Sequence, residues 1–172
     1  YGDGDGPNSP YGLHKSISEQ ECKLFGDLYG LDTVCLRYFN VYSPDQPFGG
    51  TYSTVISSWL QMIRDQKPLR IEGDGEQTRD FIHVDDVIGA NIFCMQYEKD
   101  FSGTAYDVGT GSFISINEIK QIVEKYNKVQ WQFAAERRGD VRHTCANTIP
   151  LSELGWKPTI EIRSGIEDSF KQ

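Results

Sequence analysis

Tyr11 and Lys15 stand four residues apart in SPYGLHKSISEQ, so on a helix their side chains leave the same face. An ammonium beside a phenol favours the phenolate and lowers a tyrosine pKa below its reference of about 10. That makes a proton acceptor usable near neutral pH. The same spacing also arises on amphipathic helices that do no chemistry, so the pair alone leaves both readings open. Asn40 in RYFNVY follows the end of a β-rich run, where α/β folds place ligand groups, and a buried amide needs partners. Tyr38 and Phe39 beside it are equally compatible with core packing. Arg79 lies between Thr78 and Asp80 at the start of a strand. A guanidinium fork suits diphosphate oxygens; the alternative is a surface ion pair with Asp80.

Metal chemistry is not expected. Cys22, Cys35, Cys94 and Cys145 include no CxxC pair, and the three histidines lie far from ligand spacing. Reduced, buried thiols of a cytosolic protein are expected instead. Asp3 and Asp5 with interleaved glycines hint at a calcium loop, yet His14 stands where the closing Glu belongs, so the opening reads as a turn-rich loop. A formal charge of −8 argues against non-specific nucleic-acid binding, which needs a basic face. An anionic small ligand stays open, because a few arginines in a cleft outweigh a remote acidic surface. No apolar run approaches the ~20 residues of a membrane span and no signal-peptide pattern opens the sequence, so a cytoplasmic protein without membrane partners is expected.

These residues need elements to hold them. Ser9 before Pro10 is an N-cap with proline at the first helical position; the helix should run to about Tyr29, with Gly30 as its C-terminal cap. TVCLRYF, residues 33–39, reads as a buried parallel strand. A Pro/Gly loop follows, then a helix over about Ser53–Asp65. LRIEGDGEQTRDFIHV suggests two short strands about a Gly73-Asp74-Gly75 turn. Asp85 and Asp86 favour a helix N-terminus, TAYDVG a strand, and Asn117 the start of a helix with apolar residues at Ile119, Ile122, Val123 and Tyr126. A loop centred on ERRGDVRH and two short helices near Leu151 and Ile166 close the chain. Strands alternating with helices give an α/β fold. At 172 residues with 38% hydrophobic content the chain suffices for one domain and the edge of another.

SPYGLHK, LRYFNVYSP and GDGEQTRDFIHVDDV, in that order and separation, resemble the extended short-chain dehydrogenase/reductase superfamily, specifically its nucleotide-sugar epimerases. The likeness is nearest to the UDP-glucose and UDP-N-acetylglucosamine 4-epimerase branch and covers essentially the whole chain. It implies the following roles. Tyr11 is the catalytic base that takes a sugar hydroxyl proton while hydride passes to NAD, and Lys15 holds the nicotinamide ribose and favours the phenolate. Tyr38 and Phe39 line the nicotinamide and sugar region, and Asn40 is a ligand of the sugar diphosphate. Arg79 and, in ERRGDVRHTCAN, Arg137 meet phosphate; Asp140 accepts the ribose hydroxyls. Leu69 and Ile71 lie along the uracil, although two aliphatics in a strand also read simply as core. Thr144 stands where epimerases restricted to unacetylated sugars carry a tyrosine, so the resemblance implies room for an acetamido group. Ser43 replaces the family's usual glycine in VYGP and alters only the local turn. His83 and Asp86 read as structural.

No Gly-rich dinucleotide fingerprint occurs in the 172 residues, nor the acidic residue that follows it. The expectation is therefore a C-terminal part: residues 1–45 ending an NAD-binding Rossmann-type domain, and 46–172 mainly a small α/β substrate-binding domain with short returns to the first. The resemblance implies an NAD-dependent UDP-sugar 4-epimerase favouring UDP-N-acetylhexosamine, homodimeric at full length, and inactive as this piece alone. A 4,6-dehydratase or decarboxylase of the same superfamily and a non-catalytic nucleotide-sugar-binding module are the alternatives.

Overall fold

The computed structural model describes residues 6–7, 9–45, 53–136 and 140–171. The first helix, α1 (Pro10–Tyr29), has the caps its sequence requires. The Ser9 hydroxyl accepts from the Gly12 amide, and Gly30 closes the helix at φ 66, its N–H donating to the Gly26 carbonyl. Glycine takes that left-handed conformation without the Cβ penalty. Of the α1 residues only Gly12 is buried, while Leu13, Ile17, Leu24, Phe25 and Leu28 are exposed.

The strand expected over residues 33–39 is two strands that share one chain and change neighbours. β1 (Cys35–Tyr38) runs parallel to β6 (Ala105–Val108), and β2 (Asn40–Tyr42) runs parallel to β5 (Phe81–His83). The handover falls at Phe39, whose amide donates to Val108, and Asn40, whose amide donates to Asp80. Helix α3 (Val84–Gln96) follows β5, with the His83 ring accepting from the Asp85 amide at 3.2 Å. Ile82, Val87, Ala90, Phe101, Val108 and Leu151 of α5 (Ile149–Leu154) form one core against Leu36 and Val41. This is the parallel-sheet layer.

A second core joins α2 (Val55–Arg64), β3 (Leu69–Glu72), α4 (Ile116–Tyr126) and α6 (Ile162–Phe170) through Ile56, Trp59, Leu69, Ile71, Ile119 and Ile166. Helix α4 starts at Ile116, one residue before the Asn117 expected, because Ser115 and Glu118 form a capping box. The strands expected to flank Gly73-Asp74-Gly75 do not pair with each other. β3 lies parallel to β8 (Trp131–Ala134), a strand the sequence reading lacks, and β4 (Thr78–Arg79) lies antiparallel to β7 (Ile114–Ser115). In Val129–Phe133 apolar and polar residues alternate, which is a strand period, but the segment is short enough to read as loop. Expected buried thiols are found only at Cys94; Cys22 and Cys35 are half-buried and Cys145 is exposed. Among the described residues no helix is long and apolar enough to cross a membrane, and no cluster of His, Cys, Asp or Glu suits a metal ion.

Candidate active site

Arg79 and Asp80 are neighbours on extended backbone, so their side chains point opposite ways. Asp80 points inward and is wholly buried. One carboxylate oxygen accepts from the Thr110 amide at 2.9 Å and the Thr110 hydroxyl at 2.7 Å. The other accepts from the amides of Gly111 at 3.0 Å and Ala146 at 3.1 Å. Four donors satisfy a buried carboxylate, so it serves as an anchor. Its backbone carbonyl accepts from Asn40 twice, from the amide at 3.1 Å and from the side chain at 2.7 Å.

Arg79 points outward to a cavity of about 310 Å3 whose walls include Asn40, Ile71, Arg79 and Asp140. That volume is at the lower end for a small-molecule site. The Arg79 side chain is only 14% exposed and donates to Asp140 at 2.8 Å. It also donates to the carbonyls of Thr78 at 2.9 Å and Arg142 at 3.3 Å. Its carboxylate partner is therefore Asp140 rather than the Asp80 of the surface-pair alternative. Asp140 is brought across from a segment sixty-one residues away, and a second fork steadies that segment. Arg142 donates to both carboxylate oxygens of Asp74 at 3.0 and 2.7 Å, and this guanidinium holds the Asp74 carboxyl below the usual range. Helix α2 supplies Ser58, Trp59 and Met62 to the cavity, and β3 and its turn supply Glu72 and Gln77. The Trp59 indole donates to the Arg70 carbonyl at 3.0 Å and fixes α2 on β3. Residues 55, 58, 59 and 62 repeat at helical spacing, so the sequence holds a signal for this face of α2; nothing in it tells a cavity wall from core.

Of the remaining expected residues that the structure describes, only Ile71 lines this cavity. Tyr11 is 54% exposed, with the Lys15 ammonium over its ring, 5.5 Å from the centroid; the i, i+4 spacing does bring them together. The Tyr38 hydroxyl donates to Asn91 at 3.0 Å, and Tyr38 lines a second cavity with Val34, Leu36, Asn91 and Met95. Phe39 is half-buried at the strand handover. Ile71 lines the Arg79 cavity, while the Leu69 side chain is fully in the core. Thr144 pairs by its backbone with Thr78 and Asp80; its hydroxyl is buried without a partner among the described residues and lies outside the cavity walls. Arg137 lies outside the described residues.

The model of the NAD dependent epimerase/dehydratase family matches residues 2–109. The chain belongs to this family. A UDP-glucuronate 4-epimerase of Thermodesulfobacterium geofontis is 33% identical over 167 residues, covering 95% of this chain and 50% of its own length. A solved UDP-N-acetylglucosamine 4-epimerase of Methanobrevibacter ruminantium, in complex with UDP-N-acetylmuramic acid, is 32% identical with a TM-score of 0.85. That match covers 96% of this chain and 53% of the other. A UDP-glucuronic acid 4-epimerase of Bacillus cereus, in complex with UDP-glucuronic acid and NAD, is 30% identical with a TM-score of 0.83, at 96% and 54% coverage. The chain thus spans about half the length of the relatives it matches, and its α/β architecture is that of Rossmann-type epimerases. The family is NAD-dependent. Tyr11 and Lys15 share one open helix face, and Tyr38 ends a parallel strand, so a phenol, an ammonium and an aromatic ring are available to a cofactor there.

Proposed function

We propose that this chain is the substrate-binding part of an NAD-dependent UDP-sugar 4-epimerase that favours UDP-N-acetylhexosamine. The observation that carries the proposal is Arg79, a guanidinium only 14% exposed and braced by Asp140 at the wall of a cavity shared with Asn40. A charge held in a partly desolvated place binds an anionic diphosphate more strongly than the same charge on an open surface. In this reading Arg79 and Arg137 hold the diphosphate, Asp140 accepts from the ribose hydroxyls, Asn40 contacts the sugar diphosphate, and Leu69 and Ile71 lie along the uracil. Thr144 leaves room for an acetamido group. Tyr11 takes the proton of the sugar 4-hydroxyl, Lys15 stabilises the phenolate and holds the nicotinamide ribose, and Phe39 and Tyr38 line the space between sugar and nicotinamide. NAD, when bound, would supply the hydride acceptor and donor for C4 of the sugar, held at its nicotinamide ribose by Lys15.

Residues 1–45 then close the cofactor-binding domain and 46–172 form mainly the substrate domain. The full-length enzyme is a cytoplasmic homodimer, and this piece binds UDP-sugar without turning it over. The test is Tyr11→Phe in the full-length enzyme. Turnover should fall by roughly 10²–10⁴-fold, the usual worth of a general base, while UDP-sugar affinity stays unchanged because it rests on Arg79 and Asp140. Turnover within a few-fold of wild type removes Tyr11 as the base.

A further inference from the structure

Helix α1 meets β1 and the segment just before it through two side-chain contacts. Arg37 donates to both Glu19 carboxylate oxygens at 2.7 and 2.6 Å, and the Thr33 hydroxyl donates to the Cys22 carbonyl at 3.0 Å. Glu19 and Cys22 are three residues apart, on one face of α1. Thr33, Cys35 and Arg37 alternate with Val34 and Leu36, which turn the other way into the core beside α3, so the three odd-numbered residues face the helix. With position 19 meeting 37 and position 22 meeting 33, Cys22 falls opposite Cys35. Both thiols are free and half-buried.

We propose that Cys22 and Cys35 form a reversible disulfide under oxidation, fastening the helix that carries Tyr11 and Lys15 to β1. Two thiols and one peroxide give one disulfide and two waters. The S–S bond forms, the O–O bond and both S–H bonds break, and two electrons pass from sulfur to the peroxide. Burial, the neighbouring Cys22 and the Glu19 charge push the Cys35 thiol up to about 11, so Cys35 rests as a thiol at neutral pH. Neither remaining cysteine competes for either partner within the fold: Cys94 is buried in α3 and Cys145 follows Thr144 on the far side of Asp80.

The experiment treats the folded 172-residue chain with hydrogen peroxide, then blocks residual thiols and digests it with trypsin without reduction. Residues 16–23 and 24–37 form separate tryptic peptides, each with one cysteine. Joined peptides that separate on adding dithiothreitol, and a fall from four titratable thiols to two, are the expected results. Cys22→Ser and Cys35→Ser each abolish the link, and Cys145→Ser keeps it. Oxidised wild type should also melt at a higher temperature than reduced, a shift both serine variants at 22 and 35 lack. If exposed Cys145 is oxidised while residues 22 and 35 remain thiols, or if either joins another cysteine, the proposal is overturned. The readout is sulfur alone, so its failure leaves the epimerase reading untouched.

Discussion

Replacing Arg79 by alanine isolates the feature on which the functional reading rests. The guanidinium makes four contacts in that reading: with Asp140, with the Thr78 and Arg142 carbonyls, and with the diphosphate. Hydrogen bonds to charged groups are worth about 1.5–3 kcal/mol, so losing the diphosphate contact should raise the Kd for UDP roughly 10- to 150-fold. Asp140 then faces the ligand with no counter-charge. Its side chain is 38% exposed, so solvent screens most of that repulsion, and about 1 kcal/mol is a generous allowance. Arg79→Ala/Asp140→Asn should therefore bind UDP more tightly than Arg79→Ala alone. Against the wild-type background Asp140→Asn should weaken binding instead, because the ribose hydroxyls lose an acceptor. Opposite signs in the two backgrounds are the signature of the pair. Titration calorimetry at two salt concentrations measures this, with unfolding curves as a check that the variants fold. UDP affinity within two-fold of wild type for folded Arg79→Ala would refute the reasoning. Arg79→Lys keeps the charge but not the planar fork, and should fall between the two.

Asp80→Asn should destabilise the chain by about 2–4 kcal/mol, read from urea unfolding, since an amide nitrogen must face at least one backbone N–H that the carboxylate now accepts; a change below about 0.5 kcal/mol would contradict the anchoring role. Asp74→Asn should lower the melting temperature at pH 7 and not at strongly acid pH. The folded-state pKa of Asp74 is depressed by Arg142, so its contribution is present above the unfolded value of about 3.9 and is lost as pH falls through the folded one; a wild-type advantage undiminished near pH ~2 would be the contrary result. Thr144→Tyr in the full-length enzyme should depress kcat/KM for N-acetylated substrates more than for unacetylated ones, a packed-pocket clash being worth about 1–3 kcal/mol. An unchanged ratio removes Thr144 as the determinant.

The sequence is explicit where a signal is local. Ser9-Pro10 and Gly30 set both ends of α1, and Ser115 with Glu118 sets the start of α4, because each cap is made by residues within a turn of the helix end. Strand pairing is not local. The GDG turn looks like a hairpin, yet β3 finds its partner in β8, some sixty residues on, and β4 in β7. Two-residue strands carry too few positions for alternation to register. The site shows the same division. Tyr11 and Lys15 are legible because helix geometry fixes their relation. Arg79 is legible as a cation, but its partner is not: the adjacent carboxylate is the obvious choice and Asp140, sixty-one positions away, is the actual one. Cavity walls such as Trp59 and Gln77 carry no type or spacing that separates them from core and turn residues.

Adjacency of Arg79 and Asp80 explains why the cavity is where it is. The strand period of two sends one charge inward and the next outward, so whatever fixes the first aims the second. Asp80 is fixed from three directions: the end of β6 at Thr110 and Gly111, the segment at Ala146, and Asn40 through its carbonyl. Those contacts meet where β1 hands over to β2 and the strands change neighbours. The close fit shows at Gly109, where an added Cβ would lie 2.5 Å from the Ala146 Cβ and 2.8 Å from an Asp80 oxygen; any side chain there would push the anchor aside. Asn40 and Arg79 reach the same cavity because both are hung on one buried carboxylate residue, and their spacing is thereby held more tightly than two independent loops could hold it.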